Sequence, residues 1–153
     1  MNVVSSPDGR GVADRGAVSH GSRLEVFVLF TTVQETLPAL RKAASLASHL
    51  NARIEILVPE IVPYPLPIDR PSVAPSFLAH RYRTVVQQSG IDTDIRVCLC
   101  REPRTALTAA LKPGSVIVIG TRLRWWPTKA VRLGRWLEGQ GHRVVVVDRR
   151  EGA

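Results

Sequence analysis

Apolar positions along the chain follow two periods. Five short stretches are mostly apolar: Leu24 to Phe30 (LEVFVLF), Arg53 to Val58 (RIEILV), Asp94 to Leu99 (DIRVCL), Ser115 to Gly120 (SVIVIG) and Arg143 to Asp148 (RVVVVD). Runs of this length, rich in β-branched residues, predict strands covered on both faces. Between them the spacing becomes helical. Leu37, Leu40, Ala44, Ala47 and Leu50 fall on one face of a helix, and because proline is tolerated only in a helix's first turn, Pro38 predicts a start near Leu37 with Thr36 as N-cap and Asn51 as the stop. A second helix is expected from Phe77 to about Gln88, capped by Ser76 and closed by Gly90. A third, short one follows Pro103 and Thr105 and ends near Lys112, where Pro113-Gly114 turns the chain. The last follows Pro127 and Thr128, carries Ala130, Val131, Leu133 and Leu137 as its apolar positions, and ends at Gly139 and Gly141.

Strands alternating with helices predict an α/β fold, a single-domain doubly wound five-stranded parallel sheet over residues 23–150. In such a sheet the ligand crevice lies outside the carboxyl ends of the strands, where the winding reverses. Residues 1–22 show no periodicity and are expected to be a flexible N-terminal tail. Six of the eleven prolines sit in PEIVPYPLPIDRPSVAP, between the second strand and second helix. That density predicts a rigid surface connection; polyproline recognition is the competing reading.

Composition narrows the chemistry. With 153 residues and 44% hydrophobic content, the chain can bury a core without metals or disulfides. No apolar run approaches the roughly 18 to 20 residues that cross a bilayer, and the first residues do not read as a secretory signal. A cytoplasmic protein without a membrane partner is expected. Cys98 and Cys100, two apart on one strand, point to one face and are not placed to bridge. His20, His49, His80 and His142 lack metal-ligand spacing, and no nucleophile elbow or paired carboxylates are evident. No catalytic or metal-binding residue is assigned, and a non-enzymatic role is expected. Residues 101–150 hold eleven Lys or Arg against three acids, an excess equal to the +8 of the whole chain. Such an excess attracts phosphates and other polyanions, unless it is simply a solvated face.

Three segments, in order, carry a resemblance. ALRKAASLASHLNARIEIL, REPRTALTAAL and GSVIVIGTR resemble the first helix and second strand, the link into the third helix, and the fourth strand with its exit in the universal stress protein family. The resemblance spans roughly residues 24–148. It implies a strand order of 3-2-1-4-5, a layering like that of adenine nucleotide alpha hydrolases and flavodoxins, and a homodimer joined through the last strand.

The resemblance also implies where a nucleotide would sit. Members that bind ATP carry an acid at the end of the first strand, and after the fourth strand a Gly, two residues, Gly, nine residues, Gly, then Ser or Thr. Here Thr31, followed by Thr32, stands at the acidic position, Gly120 matches the first glycine, and Leu123 replaces the second. Gly134 is one residue out of register, and Arg135 stands where the hydroxyl belongs. The candidate cofactor-binding positions, forming a degenerate nucleotide site, are Thr31, Thr32, Val58, Gly120, Thr121, Arg122, Arg124, Gly134 and Arg135. Ordinary binding of ATP or another adenine nucleotide is expected to be lost. Guanidinium groups at Arg122, Arg124 and Arg135 offer an alternative, a sensor for a nucleotide or phosphate ligand. Trp125, Trp126 and Trp136 share this segment; they are expected to fill the groove or cover the last helix, with base stacking as the competing reading. The leading expectation is a stress-protein-like module acting through dimerisation or partner binding; weak nonspecific nucleic-acid binding through the basic third is a further alternative that is not favoured.

Overall fold

The computed structural model describes residues 2–5, 24–69 and 73–150. A six-stranded sheet is built from β1 (Asn2–Ser5), β2 (Glu25–Leu29), β3 (Arg53–Ile61), β4 (Asp94–Cys100), β5 (Val116–Thr121) and β6 (Arg143–Asp148). Its order is β1-β4-β3-β2-β5-β6. The five strands read from the sequence pair in parallel in the expected order 3-2-1-4-5. The sixth strand differs from expectation. Asn2–Ser5, placed by the sequence in a flexible tail, runs antiparallel along β4, with Asn2 opposite Leu99 and Ser5 opposite Arg96. It occupies an edge that would otherwise present unpaired backbone groups. The remainder of the expected tail, Met1 and residues 6–22, lies outside the described residues.

Among the described residues four helices cover the sheet: α1 (Val33–Leu50), α2 (Pro75–Ser89), α3 (Pro103–Ala110) and α4 (Lys129–Gly139). Because side chains alternate along a strand, the core divides in two. Val26, Val28, Ile56, Val97 and Val118 pack with Leu40, Ala43, Leu78 and Tyr82 on the α1 and α2 side. Phe27, Leu29, Leu57, Ile117 and Ile119 pack with Leu107 and Leu137 on the α3 and α4 side.

Two helix starts correct the sequence reading. α1 begins four residues early, because Thr32 is its N-cap and accepts from the Glu35 N–H. Pro38 therefore lies inside the helix, where it removes only the bond to the Gln34 carbonyl and buries its ring. Thr36, the expected cap, is buried and accepts from the Thr31 N–H at 3.2 Å. α2 starts at Pro75, which suits a first helical position, so Ser76 is not its cap. The stops hold: Asn51 and Gly90 both adopt left-handed backbone, with φ of 50° and 69°. β3 continues through Pro59, beyond the last β2 pairing at Leu57. Pro59 faces the side that β2 no longer occupies, so its missing N–H costs no ladder bond.

Candidate functional site

The chain winds from β2 through β3 to β4 on one side and through β5 to β6 on the other. The reversal falls between β2 and β5, and their carboxyl ends define the crevice. Both exits lie side by side: Leu29 is opposite Ile119, and the Thr31 hydroxyl donates to the Gly120 carbonyl at 3.0 Å.

Most candidate residues at this mouth already have internal partners. Thr31 is held by that bond and by Thr36, and Thr32 caps α1. Thr121 is buried, and its hydroxyl lies 3.0 Å from that of Thr128, which in turn caps α4 by accepting from the Val131 N–H. Val58 is buried in the α1 and α2 side of the core. Gly120 faces the first turn of α1 so closely that a Cβ there would lie 1.8 Å from the Glu35 carbonyl oxygen. A glycine at this position is thus required by helix packing, whatever else it does. Gly134 is less tightly confined, since a Cβ would meet only side-chain methyls, at 3.3 Å from Val144 and 3.4 Å from Ile119. It lets α4 settle on β5 and β6.

The arginines behave differently. Arg122 and Arg124 are exposed and, among the described residues, have no ion pair or side-chain hydrogen bond. With Leu123, Trp125, Trp126 and Arg150 they line an open groove of about 680 Å³. Arg150 reaches it because the Arg149 N–H bonds to the Thr121 carbonyl at 2.9 Å, carrying the end of β6 beside the end of β5. Arg135 lies apart from this groove, exposed on α4. The tryptophans overturn the expectation of burial at two of three positions. Trp125 is 101% exposed and Trp126 72%, whereas Trp136 is half-buried with the Arg104 guanidinium 5.4 Å from its ring.

The basic third is not one patch. Lys112 pairs with Glu25 at 3.5 Å and, with Arg143 at the start of β6, lies at the amino ends of the strands. Arg101, counted in the sequence only as a charge, binds the proline-rich connection. Its guanidinium donates to the carbonyls of Val62 at 2.7 Å and Leu66 at 2.5 Å, and its centre sits 4.1 Å from the middle of the Tyr64 ring. Nearby, Tyr82 donates to Glu60 and meets Phe30 edge-on at 4.6 Å. Burial raises the Tyr82 pKa, and the Glu60 carboxylate adds to the shift.

Cys98 and Cys100 are buried free thiols, and burial pushes both above the ordinary thiol range, away from nucleophilic thiolate. Among the described residues no group of His, Cys, Asp or Glu is placed to hold a metal, and no helix is long and apolar enough to cross a membrane.

No protein-family model matches the chain, and neither does any curated protein. Solved structures do. A universal stress protein from Archaeoglobus fulgidus superposes with a TM-score of 0.55 at 11% identity, covering 80% of this chain and 92% of that one. A protein of the universal stress protein family from Burkholderia pseudomallei covers 80% and 94%, at 20% identity and a TM-score of 0.45. At such low identity the likeness to the archaeal structure establishes the fold alone: this chain has the architecture of a universal stress protein.

Proposed function

We propose that this chain is a cytoplasmic module of the universal stress protein type that works by association, without catalysing a reaction, and that it has lost ordinary ATP binding. The observation that carries this reading is the state of the crevice. Where the resemblance puts an acid, Thr31 spends its hydroxyl on the Gly120 carbonyl, and the glycine beside it is covered by Glu35. Thr121 is engaged by Thr128. A phosphate cradle needs free donors, hydroxyls among them, and the hydroxyls of Thr31 and Thr121 are spent inside the fold.

Association through β6 is supported by its outer edge. Among the described residues β6 pairs only with β5, it is apolar from Val144 to Val147, and Val146 is 40% exposed. An open apolar edge of this kind favours pairing with a second copy. Light scattering over a concentration series, with calorimetry against ATP and AMP, tests both parts. Dimers and no heat with either nucleotide are expected. A monomer at every concentration removes the association through β6. Heat with ATP that Arg122→Ala abolishes favours instead a nucleotide sensor built on the exit of β5.

A further inference from the structure

The connection between β5 and α4 presents three large apolar side chains to solvent within four residues: Leu123, 53% exposed, Trp125 and Trp126. None of the three joins either core cluster. Apolar surface of this size, concentrated at one tip, is not explained by folding. Among the described residues the charged side chains that line its groove are all arginines. Arg122, Arg124 and Arg150 line the same groove, Arg149 precedes Arg150 beside Thr121, and the sequence from Thr121 to Leu137 contains no acid. Of the two acids that flank Arg149 and Arg150 in the sequence, Asp148 accepts from the Arg150 N–H, and Glu151 lies outside the described residues.

We propose that this loop is a peripheral docking site for an anionic lipid bilayer, the tryptophans and Leu123 entering the interface while the arginines meet lipid phosphates and carboxylates. Tryptophan is amphipathic and concentrates at the headgroup level. Basic residues within a Debye length gain from the negative surface potential of the cytoplasmic leaflet. Stable peripheral attachment takes an apolar anchor together with a basic patch, and this loop supplies both. Leu123 favours lipid over a single-stranded nucleic acid, because an aliphatic tip offers no face for stacking a base. The sequence excluded a segment that spans the bilayer; a loop that lies on it depends on exposure, which only the fold reveals. The inference stands apart from the β6 interface and from the state of the crevice.

The test is cosedimentation of the full chain with vesicles of phosphatidylcholine alone and with about 30 mol% phosphatidylserine, at about 0.1 M salt. Binding to the anionic vesicles only is expected, with a blue shift of tryptophan emission. The double variant Trp125→Ala, Trp126→Ala should retain its melting temperature and lose about tenfold or more in partitioning. Arg122→Gln with Arg124→Gln should weaken binding comparably and reduce its salt dependence. The proposal is overturned if the wild-type chain ignores anionic vesicles, or if the double tryptophan variant binds them as well as wild type. It is equally overturned if a single-stranded oligonucleotide binds through these tryptophans while vesicles do not.

Discussion

Thr31 and Gly120, 89 residues apart in sequence, are joined where two parallel strands end: the threonine hydroxyl donates to the glycine carbonyl at 3.0 Å. This bond takes up the side chain at the position where the resemblance puts an acid. On the proposed reading, placing an acid there does not by itself make a nucleotide site. A carboxylate at position 31 cannot donate to the Gly120 carbonyl, and like partial charges would face each other. Thr31→Asp is therefore expected to lower stability by about 1 kcal/mol and to leave ATP binding undetectable by calorimetry. Tight binding by this single variant would show that the crevice is open after all.

Gly120 is fixed by the approach of α1. A Cβ at 1.8 Å from the Glu35 carbonyl oxygen meets backbone, which cannot rotate away as a side chain could. Gly120→Ala should therefore cost about 3 kcal/mol, at the upper end for overpacking, seen as a lower denaturant midpoint with an unchanged slope. Gly139→Ala is the matched control, since no neighbouring atom lies within 4 Å of its Cβ position. It should be neutral or gain up to about 1 kcal/mol from helix propensity. Equal effects at both glycines would remove the packing argument.

Glu55 sets a pH dependence. It pairs with Arg96 at 2.7 Å, yet its pKa is raised above 4.5, because desolvation by burial outweighs the attraction of Arg96, with Glu25 and Asp94 adding repulsion. A carboxyl whose folded pKa is raised favours the folded state while protonated. Its contribution is complete below the unfolded pKa and is lost as pH rises through the folded value. Glu55→Gln has no proton to lose, so the stability of wild type relative to this variant should fall as pH rises from about 4 to about 7. Denaturation of both proteins across that range checks it; a difference that grows with pH would mean that the Arg96 pair dominates.

Much of the scaffold was legible because its signals are local. Five apolar runs locate five parallel strands, and Asn51 and Gly90 end their helices as residues that tolerate left-handed backbone. What escaped was decided by hydrogen bonds and pairings that apolar spacing does not show. The early start of α1 depends on Thr32 rather than on Pro38. Asn2–Ser5 becomes a strand only because the edge of β4 is there to pair with it. At the site, the hydroxyls of Thr31 and Thr121 look available in sequence, and their acceptors or neighbours emerge only on folding. The same holds for Trp125 and Trp126, whose composition suggests burial but whose loop stands clear of the sheet.

Arg101 gives the clearest example of a residue whose type matters more than its charge. Two of its nitrogens donate to different carbonyls, Val62 and Leu66, while the same plane lies against Tyr64. The proline-rich connection has few backbone donors of its own, so these contacts anchor it against the end of β4. Arg101→Lys keeps the charge but has no planar fork, and an ammonium cannot reach both carbonyls and cover a ring in one geometry. The Lys variant should lose about 1 to 3 kcal/mol, as expected for charge-assisted hydrogen bonds, with Arg101→Ala losing at least as much. In both, residues 62–66 should gain hydrogen exchange and become susceptible to proteolysis before the sheet unfolds. If Lys preserves wild-type protection there, the positive charge alone secures the connection and the fork is dispensable.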